Sequence, residues 1–290
     1  MRPAWLFVAP ALFGLALFVA VPFVLAFGLA FTNLRLGSPL PLEFVGLEQF
    51  QRIFNDPAFL RALFNNALFA LVVVPLQTVL ALAIALLLNR QLKGLALFRT
   101  LFFMPVVFPL SLVAVVWVLI FAPGANGMLN ALLETITFGA WQPHDFLHDP
   151  VLALPAIMLT SIWQGMGFQM VIILAGLQGI PHELYEAAAI DGASRWQQFW
   201  SITLPQLRNT LIFVMLVTTI LAFRLFDQVQ IMTQGGPRNA TTTAMYEAVQ
   251  SAFTRQQVAK GAAMTVVLFV VVLLITLLQR RLVKQEREIE

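Results

Sequence analysis

The feature that most constrains this chain is an uncharged, almost wholly apolar run from Pro3 to Leu34. Crossing the hydrocarbon of a bilayer takes about 20 apolar residues in a helix, and a helix that is apolar all round is buried in a large core or in lipid. Similar runs recur along the sequence. Composition agrees: 60% of the 290 residues are hydrophobic and only 11% are charged, against about 25% charged in a soluble domain. The expectation is an all-α polytopic membrane protein forming a single domain over residues 1–290.

Six membrane spans are expected, at about 4–33, 66–88, 100–122, 152–179, 209–232 and 261–280. The first is too long for a signal-peptide core, and no small-residue cleavage site closes it. Pro10 and Pro22 predict kinks in it, and Pro105 and Pro109 fall in the first half of the third. Residues 35–63 read as a loop in which Leu47, Phe50, Ile53 and Phe54 share one helix face. That pattern suits either an amphipathic segment at the membrane surface or a helix packed on the protein. The third span ends at Pro123-Gly124-Ala125-Asn126-Gly127, and a short apolar helix is expected over Met128–Leu133. Residues 238–260 read as a loop, and Arg280–Arg287 as a solvated tail.

The fourth span is polar at its middle, with Thr160, Ser161, Gln164, Gly165, Gly167 and Gln169. Ser161, Gln164, Gly165 and Phe168 share one helix face, as Leu221, Arg224, Leu225 and Gln228 do in the fifth. Such amides and hydroxyls serve either as bonds between helices or as contacts to a solute. Arg224 and Asp227 are three apart in the fifth span, spaced either to pair with each other or to line a path, as charges within a membrane do.

With six spans both termini lie on one side. Ten of the seventeen basic residues fall on that side and six on the other, the last being Arg224. The excess places both termini and residues 181–205 in the cytoplasm. The net charge of +3 is spread over short loops and the tail, which argues against nucleic acid. The absence of Cys excludes disulfides and thiolate chemistry. His144, His148 and His182 all lie outside the spans, against an intramembrane metal hydrolase. No Gly-x4-Gly-Lys-Ser/Thr phosphate loop is completed by Lys93, Lys260 or Lys284. Catalytic and metal-binding residues are expected to be absent.

Residues 181–205 form a polar, Ala-rich island between two apolar runs. Pro181 suits a helix start, and Glu183 and Glu186 sit near the positive end of its dipole. Gly192 predicts the exit from that helix and Ser194 the cap of a second. There Trp196, Phe199 and Trp200 form one aromatic face. Physics alone leaves two readings, a docking element or a helix pair resting on the membrane surface.

Glu186-Ala187-Ala188, then Gly192, then Ile202-x-Leu204-Pro205 resembles the EAA loop of binding-protein-dependent ABC importer permeases. The fuller string from Ile180 to Ala193 is similar to the carbohydrate-uptake subfamily. So are Phe44-Val45-Gly46-Leu47-x-x-Phe50, Phe98-Arg99-Thr100-x-x-Phe103-x-Pro105 and Thr233-x-Gly235-Gly236-Pro237-x-Asn239-x-Thr241. Together they resemble the maltose- and glycerol-phosphate-type first permease subunit over nearly the whole chain.

The resemblance implies a transport subunit in a bacterial or archaeal plasma membrane, the inner membrane in a Gram-negative cell. Its expected partners are a second homologous permease, two ABC ATPase subunits and an extracytoplasmic solute-binding protein. ATP and Mg would be bound by the ATPases, and this chain would hold no cofactor. Glu186, Ala187, Ala188, Asp191 and Gly192 would dock in an ATPase groove. Ser161, Gln164, Gly165, Phe168, Leu221, Arg224, Leu225 and Gln228 would line the path of a sugar, as a di- or oligosaccharide. Leu221 and Leu225 are apolar where an aromatic or amide residue can occur in the family. The alternatives are a non-sugar cargo such as glycerol phosphate, and an ion-driven secondary transporter, which would want midplane carboxylates.

Overall fold

The computed structural model describes residues 2–89, 94–124 and 127–282. The basic turn at Arg90 and Lys93, Ala125 and Asn126 of the Gly-rich break, and the tail from Val283 lie outside these residues. Helix dominates. The first, α1 (Phe7–Leu29), opens into a π-turn over Ala16–Ala20 just before Pro22, where the proline ring and missing N–H disturb regular hydrogen bonding. It ends before the expected boundary at 33.

A short helix α2 (Glu48–Phe54) leads into α3 (Pro57–Leu88). Asp56 accepts a hydrogen bond from the Ala58 N–H at 3.0 Å, and Pro57 takes the first helical position. Cap and proline together start this helix well before residue 66, inside the expected loop. Its 32 residues make a rod of about 48 Å. The expected span 100–122 is two helices, α4 (Leu95–Val107) and α5 (Leu110–Ile120), bent by 99°. Phe108 between them is extended, with ψ 142°, the geometry to which a residue before proline is pushed.

Next come α6 (Met128–Ile136), α7 (Ala153–Gln178), α8 (His182–Ile190), α9 (Arg195–Gln206) and α10 (Arg208–Phe223), with a 63° bend between the last two. The expected fifth span does not continue to 232: the chain leaves helical geometry at Arg224 and resumes as α11 (Asp227–Met232). Helices α12 (Ala244–Val249) and α13 (Val258–Leu282) complete the described chain. Helices α1, α3, α7 and α13 are each long and apolar enough to cross a membrane; the number rises to six if α4–α5 and α9–α10 each count as one bent span.

The long helices α3 and α7 pack side by side, with α4 against α7 and α10 against α3 and α13. A Cβ on Gly167 would sit 1.9 Å from the Phe102 carbonyl oxygen, so α4 and α7 touch backbone to backbone only because this residue is glycine. Two apolar cores result. One gathers Phe59, Phe69, Ile157, Phe223, Val229 and Met264, the other Ala81, Ala85, Met170, Ile173, Leu207 and Val214. Between them α3, α7 and α10 place Gln77, Thr78, Gln164, Gln169 and Thr218, all buried. The bundle therefore has a polar waist. By contrast, no residue of α1 is buried, and it touches α13 through a Phe23–Phe269 edge contact at 5.1 Å.

Residues 238–260 are a packed cap rather than the expected loop. Asn65 donates to the carbonyls of Asn239 at 3.0 Å and Thr242 at 2.9 Å. Asn66 donates to Ala222 at 3.2 Å and accepts from the Ala244 N–H at 2.8 Å. Glu247 is buried, receiving Arg255 at 3.0 Å and the Thr242 hydroxyl at 2.9 Å. Without those partners a buried carboxylate would be strongly unfavourable.

Candidate functional site: a cavity at the waist of the bundle

A cavity of about 380 Å³ lies where α4 breaks into α5 and where α10 breaks before α11. Both breaks matter to its chemistry. Phe108 is extended, so its carbonyl falls outside the helical pattern, and Gln164 Nε2 donates to it at 3.3 Å. Gln228 Nε2 donates to Gln164 Oε1 at 3.4 Å, and the Ser161 hydroxyl donates to Gln228 Oε1. This chain of bonds ties α7 to α11 and to the α4–α5 elbow. Phe69, Phe108 and Phe226 add aromatic surface, and Arg224 and Asp227 add charge.

A second cavity of about 310 Å³ shares Gln77, Val106, Gly165, Thr218 and Leu221 with the first. Here the Gln169 amide nitrogen donates to the Thr218 hydroxyl, while Gln169 Oε1 is buried with no partner. An unpaired buried acceptor costs about 1–3 kcal/mol, which a passing solute or water could recover. Gly165 brings α7 against Gln77: a Cβ there would lie 2.3 Å from Gln77 Nε2. The two cavities offer amide and hydroxyl groups beside aromatic faces, a combination that suits a solute polar at its edges and apolar on its faces.

Of the residues expected along a path, Ser161, Gln164, Gly165, Leu221, Arg224, Leu225 and Gln228 line the first cavity. Phe168 lines the second, with Gly165 and Leu221. The fifth-span group does not meet as one helix face, because the helix has ended by Arg224. Nor do Arg224 and Asp227 form an ion pair among the described residues; both are exposed and border the cavity. Sequence reasoning missed Gln77, Phe69, Phe108 and Phe226. Gln77 carried a signal as a lone amide in an apolar span, and Phe108 carried one as the residue before Pro109.

At one end of the bundle α8 and α9 form a projecting angle. Helix α8 has no buried residue, and Glu186, Ala187, Asp191 and Gly192 are exposed, with Ala188 half-buried. Glu186 lies 3.0 Å from His182 Nδ1. Gly192 has φ +80°, and a Cβ there would meet nothing, so its requirement is conformational. Ser194 and Gln197 form a reciprocal cap at the start of α9. The Tyr185 and Thr203 hydroxyls, 3.0 Å apart, tie the two helices together. Trp196, Phe199 and Trp200 cluster with ring centroids 5.3–6.0 Å apart.

Residues 77–288 match the family described as binding-protein-dependent transport system inner membrane component. The chain is a permease of that family. It is 34% identical over 281 residues to the sulfoquinovosyl glycerol transport system permease protein SmoG of Agrobacterium fabrum, spanning 97% of this chain and 90% of the relative. It is 36% identical over 267 residues to the diacetylchitobiose uptake system permease protein NgcF of Streptomyces coelicolor, spanning 89% and 75%. The permease shares its fold with a chain of a bacterial alginate ABC transporter solved in complex with an alginate pentasaccharide-bound periplasmic protein. The TM-score is 0.83 at 21% identity, covering 99% of this chain and 96% of that one. As a member of this family the permease is a transport subunit, not an enzyme.

Proposed function

We propose that the permease is the membrane-spanning subunit of an ATP-driven importer that carries a sugar, as a di- or oligosaccharide, into the cytoplasm. In this reading there are six spans, with α4–α5 and α9–α10 each a bent one, and both termini are cytoplasmic. A second homologous permease completes the pathway, an extracytoplasmic binding protein delivers the sugar, and two ATPases supply ATP and Mg chemistry. The projecting angle of α8 and α9 is the docking element, with Glu186, Ala187, Ala188, Asp191 and Gly192 in an ATPase groove. The lack of burial of α8 within this chain supports that role.

The observation that carries the cargo reading is the cavity at the polar waist, which places Gln77, Ser161, Gln164 and Gln228 next to Phe69, Phe108 and Phe226. Sugar hydroxyls pair with the former and the C–H faces of the rings rest on the latter. The transport names of the relatives, a sulfoquinovosyl glycerol and a diacetylchitobiose, point the same way. Because the chain has no Cys, a single Leu221→Cys in the assembled importer is a clean probe. Maleimide labelling there should slow when sugar, binding protein and ATP are supplied together. Labelling that ignores all three would place the path elsewhere.

A further inference from the structure

A third cavity, of about 310 Å³, lies away from the waist and has a different chemistry. Arg35, Arg52 and Lys260 supply cations to its wall, and Asn33, Gln49 and Gln257 supply amides. None of the lining residues is acidic. Two of the cations are partly neutralised from outside the lining, Lys260 by Asp56 at 2.7 Å and Arg52 by Glu48. Arg35 has no ion pair among the described residues. The cavity thus keeps a surplus of positive charge centred on Arg35. Asn33 and Gln49 already donate to the Pro41 and Thr32 carbonyls, so the guanidinium groups are the main donors an oxyanion would meet.

Its level in the fold narrows the ligand. Three apolar helices meet their ends here: α1 stops at Leu29, α3 starts at Pro57 and α13 starts at Val258. Because the apolar stretches of α1 and α13, at 23 and 24 residues, each match the thickness of a bilayer's hydrocarbon, their ends and the cavity beside them fall at headgroup depth, while α3 extends beyond it. Next to it Leu40, Phe44 and Leu47 are 71%, 78% and 63% exposed, and Phe54 is 51% exposed. Exposed apolar side chains beside clustered cations are the pattern of a surface that meets anionic lipid. The geometry points to a binding site for the phosphate headgroup of an anionic phospholipid, with the acyl chains running along the exposed faces of α1 and α13. Lys260, fixed by Asp56, orients the pocket, Arg35 is the cation, unpaired among the described residues, that meets the phosphate, and Arg52 joins it by leaving Glu48. The inference depends on the depth of the helix ends, not on which side of the membrane they face or what the permease carries.

The test uses the assembled importer in detergent, titrated with phosphatidylglycerol in mixed micelles and, separately, with phosphatidylcholine or inorganic phosphate. Phosphatidylglycerol should raise the melting temperature in a saturable manner that weakens with salt, while phosphatidylcholine and inorganic phosphate leave it unchanged. The double variant Arg35→Gln, Arg52→Gln should need about 10- to 30-fold more phosphatidylglycerol for the same shift. Arg61→Gln, which removes a cation resting on Phe64 at 5.4 Å and outside the pocket lining, should respond like the unmodified chain. Equal responses in unmodified and double-variant importers would overturn the site. Saturation by inorganic phosphate alone would overturn the lipid assignment. So would a double variant that keeps its lipid response but loses affinity for the binding protein.

Discussion

At the scale of single residues, the end of the bundle where α3 and α13 start is held by Asp56. It caps α3 through the Ala58 N–H and reaches Lys260 on α13 at 2.7 Å. Partial burial acts to raise its carboxyl, but the Lys260 hydrogen bond, the Ala58 N–H and the Lys260 charge outweigh burial and hold it below its ordinary value of 3.8. A carboxyl depressed on folding stabilises the fold above its unfolded pKa, and that contribution is lost as pH falls through the folded value. Asp56→Asn keeps an acceptor for the cap but loses the charge pair with Lys260, and should therefore lower the melting temperature at neutral pH, at a cost of about 1 kcal/mol. The difference from the unmodified chain should shrink below about pH 4 and vanish in stronger acid. A difference that is constant from pH 7 to pH 3 would show that the carboxylate charge does not matter.

At the scale of elements, glycine decides how closely helices approach, and two glycines of α7 differ in kind. A Cβ on Gly167 would strike the Phe102 backbone oxygen, which moves only if α4 moves. A Cβ on Gly176 would meet side-chain atoms only, Thr210 Oγ1 at 2.8 Å and Cγ2 at 3.2 Å and Leu207 Cδ2 at 3.0 Å, which give more readily than backbone. Gly167→Ala should cost about 1–3 kcal/mol of overpacking and lower the melting temperature clearly, and Gly176→Ala should cost less. Equal losses would mean that α4 and α7 are not locked at this contact.

The same scale shows what could be read from sequence. The α7 boundaries follow from an uncharged run, and α8, Gly192 and Ser194 follow from Pro181 and cap chemistry. Residues that line the waist were visible as polar positions in apolar runs, most clearly Ser161, Gln164 and Gln228. The breaks at Phe108 and Arg224 were not read, although Pro109 was in view. A proline within an apolar run signals disturbance without saying whether the helix kinks or ends, because neighbouring helices can satisfy the freed carbonyl. Here Gln164, 56 residues away in sequence, does so. The packed cap at 238–260 was missed for a related reason. Its stability comes from Asn65 and Asn66 at the far end of another helix, and no local pattern reports such contacts.

At the scale of the whole molecule there are three parts: the exposed α8–α9 element, a waist of buried polar side chains with two cavities that share lining residues, and a capped end near Asn65 and Asn239. In the proposed function, movement at α8–α9 opens that waist to a sugar at the expense of ATP in a partner. The most direct measurement is uptake of labelled di- and oligosaccharides into proteoliposomes holding the permease with its second permease, ATPases and binding protein. Uptake should require ATP and binding protein, and should be abolished by Glu186→Lys or Gly192→Pro in complexes that still assemble and still hydrolyse ATP. Uptake driven by an ion gradient without ATP, or wild-type rates in both fully assembled variants, would contradict the account.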